Sequence, residues 1–329
     1  MKSPRASWLA LALLSTSRAS KLLFPGTVDC LLNLAVERAR AERARGATPA
    51  MVQVGAHLAW LNANDPFGDV ARAATLRTVL VEPQPHVARR LEAEVRARAA
   101  TRMAAPDGAG AVTVRNCAVC DTAHGASNVT FYSISPDVDP LTGVYRPRQR
   151  RHRNATAAAR GGDDERKEAS WTSQLASMSR EHILKHRRWI PNIEDYVVET
   201  KVPCLTVDAL LRAESVAPES VLVLSVDAEG FDADIVLSVD FERVRPFLLV
   251  WEFQHLVANT GKKQSADDWA VVRKVEDHIA KFGYECWRVI PENMFCTSPS
   301  TTAYSNDQTS ECAARKFNTT ANRYPSFAF

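Results

Sequence analysis

Four carboxylates fall within eight residues in Asp227-Ala228-Glu229-Gly230-Phe231-Asp232-Ala233-Asp234, directly after the apolar run Val221–Val226. Burying all of them unpaired would cost several kcal/mol each, so they must face a cleft or meet a cation, an amine or hydroxyls. The spacing is not that of a calcium-binding EF-hand loop. Asp232 suits a cap on a following helix, which leaves Asp227 and Glu229 as the candidates for chemistry. Acidic residues also follow two other expected strands, Glu82 after residues 77–81 and Glu252 after 247–251.

A carboxylate at the end of a second parallel strand can accept two hydrogen bonds from a vicinal diol, so Glu82 reads as a ribose ligand or as a plain loop carboxylate. Gly55 ends the first apolar run, where a glycine permits an unusual dihedral and close backbone approach. Ala56 and Ala59 stand where a dinucleotide fingerprint would carry further glycines, so the motif is weak. His57 is either a cleft residue or loop filler. Asn64-Asp65-Pro66 offers side-chain acceptors and is equally good turn chemistry. Asn116 is placed to contact a base or to cap a turn. His182 and His186 have helical spacing compatible with a metal, but no third ligand is evident, and no metal site is expected. No P-loop, zinc-protease or nucleophile-elbow motif occurs.

The elements that must hold these residues alternate. Residues 28–45 read as a helix, 48–55 as a strand, 70–76 as a short helix, 77–81 as a strand, 85–100 as a helix and 111–114 as a strand. That order predicts parallel βαβ units with helices on both faces of the sheet. Later strands are expected at 221–226, 247–251 and 284–290, with 292–295 as a turn or partner and helices at 206–211, after Asp232 through Leu237, and at 267–282. Residues 129–134 read as an edge strand or hairpin arm, and 197–203 as extended. Between about 136 and 170 a basic run (Arg148, Arg150, Arg151, Arg153) gives way to Asp163, Asp164 and Glu165 without apolar periodicity, which is the pattern of an irregular insertion.

The chain has 329 residues, 46% hydrophobic and 24% charged, which excludes a wholly disordered, collagen-like or coiled-coil protein. A net charge of +3 gives no reason to expect a nucleic-acid partner, and no apolar run is long enough to predict a membrane span. Residues 1–20 have the layout of a short secretory leader; an uncleaved anchor, a transit segment or an amphipathic start are the other readings. Sequons at Asn128, Asn154 and Asn318 tilt the expected location to the secretory pathway, Golgi lumen or secreted, with cytoplasm or an organelle as alternatives. Seven cysteines leave disulfides open, and Cys117 reads as a buried structural thiol.

Taken as an ordered set, several segments resemble the FkbM family of S-adenosylmethionine-dependent methyltransferases, in particular eukaryotic-type members with a long insertion. They are Val52-Gln53-Val54-Gly55-Ala56-His57 with Asn64-Asp65-Pro66, Val79-Leu80-Val81-Glu82-Pro83-Gln84-Pro85, Asn116-Cys117-Ala118-Val119, Phe131-Tyr132 and 177–183. The most specific is Leu224-Ser225-Val226-Asp227-Ala228-Glu229-Gly230-Phe231-Asp232, followed by Trp251-Glu252. The resemblance implies an α/β, Rossmann-like seven-stranded methyltransferase sheet, mostly parallel with an antiparallel last strand, over residues 47–295. Residues 21–46 would form a helical extension and 296–329 an irregular tail.

It further implies S-adenosylmethionine as cofactor. Gly55 would approach its methionine part, Glu82 would hold its ribose, Asn116 and Ala118 would border its adenine, and Ala56, His57 and Asp65 would also be cofactor-binding. Asp227 and Glu229 would face the transferred methyl and the acceptor, a hydroxyl of a small molecule or glycan. Methyl transfer needs chiefly alignment and a base for the acceptor's proton, for which Asp227 is the first candidate and Glu252 the second. The first loop departs from the family pattern, continuing His57-Leu58-Ala59 in place of an Asn-x-Gly turn. Two alternatives follow: a catalytically silent binding module on the same fold, and a nucleotide-sugar glycosyltransferase whose carboxylates hold a metal.

Overall fold

The computed structural model describes residues 27–58, 66–99, 110–121, 127–135, 138–139, 144–145, 175–256, 269–289 and 293–298. In chain order the elements are α1 (Thr27–Ala44), β1 (Ala50–Val54), α2 (Pro66–Ala74), β2 (Arg77–Val81), α3 (Pro85–Ala99), β3 (Val112–Arg115) and β4 (Ala118–Val119). Then come β5 (Asn128–Ile134), β6 (Val138–Asp139), β7 (Val144–Tyr145), β8 (Ala176–Ser177), α4 (Arg180–Leu184), β9 (Val197–Leu205) and α5 (Val207–Ala213). The chain closes with β10 (Val221–Val226), α6 (Asp232–Ser238), β11 (Leu248–Glu252), α7 (Ala270–Ala280), β12 (Glu285–Val289) and β13 (Asn293–Thr297).

Seven strands form one sheet in the order β3-β2-β1-β10-β11-β13-β12. Only β13 runs against the rest, pairing antiparallel with both β11 and β12. This is the expected mostly parallel sheet with its last strand reversed. Both faces are covered, which is why the strands read as near-continuous apolar runs. Val52, Val54, Val79, Val81 and Val226 belong to the core on the side of α5, α6 and α7. Met51, Leu80, Val223 and Val250 belong to the core on the side of α1, α2 and α3. The N-terminal helix is part of that second layer, burying Leu31, Leu32, Ala35, Val36 and Ala39.

The strand order reverses at β1, with β2 on one side and β10 on the other. Val54 is in register with Val81 of β2 and with Val226 of β10, so the carboxyl ends of all three strands are level. Such a switch point leaves a crevice beyond the strand ends.

A second sheet, β4-β9-β5-β8, was not foreseen. Residues 128–134 are neither an edge strand nor a local hairpin arm: β5 lies inside this sheet, paired along its length with β9 and at one end with β8. Cys120 and Cys204 form a disulfide next to the β4–β9 pair, and a second disulfide joins the in-register residues Cys286 and Cys296 of β12 and β13. Cys117 is a buried free thiol, as expected. The segment 293–297 is a strand in the sheet, so β13 continues past the expected domain boundary at 295. The leader, most of the insertion, sequons Asn154 and Asn318, and the tail beyond 298 lie outside the described residues. Among the described residues no helix is long and apolar enough to cross a membrane.

Candidate active site

A cavity of about 440 Å³ opens at the switch point, within the size range of small-molecule sites. Its floor is the ends of β1, β2 and β10, contributing Gly55 to His57, Glu82 to Gln84, and Asp227 to Glu229. One wall comes from the segment into β4 and from the small sheet: Cys117, Ala118, Val119, Phe131 and Ala176. That wall is mostly apolar, suited to a flat ring; the floor is polar.

Glu82 is the most constrained group in the cavity. It is 2% exposed, and each carboxylate oxygen accepts one backbone amide, Oε2 from His57 at 2.9 Å and Oε1 from Gln84 at 2.8 Å. Burial pushes its pKa up to about 7, and the two amide bonds only partly offset this. Each oxygen keeps acceptor capacity toward the cavity.

Gly55 has φ +75°, and a Cβ there would lie 1.8 Å from the Asp227 carbonyl oxygen. The close approach that requires a glycine is therefore between β1 and β10. The amides of Gly55 and Ala56 both donate to the Val81 carbonyl at 3.0 Å, and that of His57 to Glu82. These bonds pin the turn to the end of β2, with His57 itself at φ 41°.

Asn116 is not among the described residues lining the cavity. Its side-chain amide donates to the carbonyls of Glu82 and Pro83, at 2.9 and 3.0 Å, which fixes the turn that presents Glu82. Ala118 does line the wall, and Asp65 lies outside the described residues.

Asp227 is exposed in the cavity. Its amide is held by the Val54 carbonyl at 3.1 Å, extending the β1–β10 ladder past the strand end. Asp232 does not cap α6 by the usual side-chain bond, since Phe231 holds the cap position. It is buried, and accepts from the amides of Ala228 (3.0 Å) and Gly230 (3.1 Å), on either side of Glu229. Burial raises its pKa to about 6. This brace holds Glu229 at φ 50° and Gly230 at φ 102°.

Glu229 meets two histidines. Its Oε2 is 3.0 Å from His182 Nε2 and 3.1 Å from His255 Nε2. Burial raises its pKa, yet hydrogen bonds and charge from both rings outweigh this and bring it down to about 2. Burial lowers the pKa of His182, against its bond to Glu229. Glu252, buried at the end of β11, is 3.4 Å from His255 Nε2, and one of its oxygens lies within 4.8 Å of carboxylate oxygens of Asp227 and Asp232. The helical pair His182–His186 is thus not the one that converges. His255 was missed in the sequence, although its position three residues after Glu252 was a readable signal.

A family profile described as the Methyltransferase FkbM domain matches residues 53–286. No curated protein and no solved structure matches the chain. The profile runs from β1 to β12, more than half of the chain, and takes in the whole cavity floor, so the chain belongs to the FkbM family of S-adenosylmethionine-dependent methyltransferases.

Proposed function

We propose that this protein transfers a methyl group from S-adenosylmethionine to a hydroxyl of a small molecule or glycan. The observation that carries the reading is the level ending of β1, β2 and β10, which sets buried Glu82, the Gly55 turn and exposed Asp227 around one cavity. The residues fit the cofactor: a buried carboxylate with spare acceptor capacity suits a ribose diol, and the Ala118–Val119–Phe131 wall suits an adenine ring. Bound there, the cofactor supplies an electrophilic methyl on a sulfonium.

The chain's own contribution is alignment and proton handling. Glu82 anchors one end, and the braced 228–231 turn fixes the other. Asp227 stands at the acceptor side as the base for the hydroxyl proton, with Glu229 orienting that hydroxyl and Glu252 behind them both. Asp227→Asn is expected to lower turnover about a hundredfold while leaving cofactor affinity within about twofold, read by steady-state kinetics and calorimetry. The reading itself is tested by calorimetric titration with S-adenosylmethionine and its demethylated product. Saturable heat that EDTA does not change supports it; silence toward both, with UDP-sugar binding in manganese, overturns it.

We also propose a secretory-pathway location. Two disulfides join described residues, and Asn128 of the Asn-Val-Thr sequon is exposed at the start of β5. Expressed through a eukaryotic secretory route, the protein is expected to lose one glycan increment on Asn128→Gln, seen as a gel shift. An unchanged mobility would remove that support.

A further inference from the structure

Three elements far apart in sequence bring His182, Glu229 and His255 to one point. His182 lies on α4, Glu229 on the turn after β10, and His255 just past β11. One nitrogen of each imidazole and one carboxylate oxygen all lie within 4.8 Å of one another. A tetrahedral ion bonded at about 2.1 Å needs such atoms roughly 3.4 Å apart, and the two nitrogen–oxygen pairs, at 3.0 and 3.1 Å, are within a few tenths of an ångström of that spacing.

The tripod is preformed. Glu229 is held in the left-handed region, its carbonyl accepts the Ser177 hydroxyl at 3.0 Å, and Asp232 braces the amides on both sides. Strain of this kind persists only where the surroundings fix it, and it concentrates at functional sites. Charge points the same way. Glu229 and Glu252 both lie against His255, and Lys185 sits against both rings, its Nζ 3.2 Å from His182 Nδ1 and 2.9 Å from His255 Nδ1.

We propose that His182, Glu229 and His255 form a binding site for one divalent transition ion of the zinc class, open toward the cavity through Glu229. The nitrogen–nitrogen–oxygen donor set suits Zn²⁺ or Co²⁺. In the metal-free arrangement Lys185 donates to both Nδ1 atoms, so the ring protons sit on Nε2 and point at Glu229. An ion entering at the Nε2 atoms moves those protons to Nδ1, which leaves Lys185 without acceptors there and turns its ammonium outward. Lys185 is thus a placeholder that opposes loading.

The use of the ion rests on the methyltransferase reading. A hydroxyl in the open position would be acidified, its proton would pass to Asp227, and its oxygen would bond the methyl carbon as the carbon–sulfur bond breaks and the sulfonium becomes a thioether.

The test is a Co²⁺ titration of the full chain, stripped with EDTA and followed by visible absorption, with Zn²⁺ as competitor. The expected result is one ion per chain with intense four- or five-coordinate bands. His182→Ala and His255→Ala should each weaken binding at least about a hundredfold, and Lys185→Met should tighten it about tenfold. No bands with the wild type, or bands that persist in both histidine variants, overturn the proposal. If buried His182→Ala does not fold, the more exposed His255→Ala carries the comparison. Metal binding is read without cofactor and cofactor binding without metal, so a failure of this site and a failure of the methyltransferase reading show up separately.

Discussion

Replacing Gly55 by alanine is expected to leave little or no folded protein. The residue sits at φ +75°, where a side chain alone costs about 1–2 kcal/mol. The steric clash costs more: the new Cβ would be 1.8 Å from the Asp227 carbonyl oxygen and 2.9 Å from its carbon, both backbone atoms. Neither strand can yield. Val54 is locked in register between Val81 and Val226, and the Asp227 amide already donates to the Val54 carbonyl. The total should exceed about 4 kcal/mol, a large share of the stability of an ordinary domain.

Gly46 supplies the control. It also has positive φ, +85°, after the end of α1, but a Cβ there meets nothing within 4 Å. Gly46→Ala should therefore cost only about 1 kcal/mol, from the backbone conformation alone. Soluble yield, and urea unfolding of whatever folds, make the comparison. Equal midpoints would show that β1 and β10 can part at their ends, and the close packing that places Glu82 beside Asp227 would lose its physical basis.

The contrast between these glycines also shows what the sequence could reveal. The strand at 221–226 is legible to the residue because a parallel strand covered on both faces reads as a short, almost wholly apolar run, and Val79–Val81 mark the strand at 77–81 in the same way. Acidic residues directly after such runs are legible as strand-end groups for the same reason. The small sheet is not legible. Its core pairing joins β5 to β9 across a long insertion, and β4 and β8 are two residues each, too short to show a period. Roles set by three-dimensional closure are hidden as well. Asn116 reads as a base contact or a turn cap and proves to tie the Glu82 turn; Asp232 reads as a helix cap and proves to brace Glu229. Gly55 is visible as a glycine that must be there, but the partner that demands it, the Asp227 carbonyl, is set by β-strand register between segments more than a hundred residues apart.

Glu82 gives the other large effect, and it carries a pH signature. Its carboxyl is raised from 4.5 to about 7 in the folded protein, chiefly by burial. An unfolded chain ionises this group near the ordinary value, so the folded state is favoured at low pH. As pH rises from about 4.5 to about 7 that advantage is lost, on the order of 3 kcal/mol, and above about 7 the slope vanishes. Glu82→Gln should abolish this part of the pH dependence of urea unfolding.

Cofactor binding should run the opposite way. Ribose hydroxyls donate to an ionised carboxylate far better than to a protonated one, so affinity for S-adenosylmethionine should rise between about pH 6 and pH 8 and flatten in Glu82→Gln. Glu82→Ala should lose more than a hundredfold in affinity at pH 8, about 3 kcal/mol, from two charge-assisted bonds. It also leaves the amides of His57 and Gln84 without their acceptor, so a thermal melt must accompany the titration. Variants that melt normally yet bind with wild-type affinity at both pH values would remove Glu82 from the cofactor and, with it, the argument from the level ends of β1 and β2.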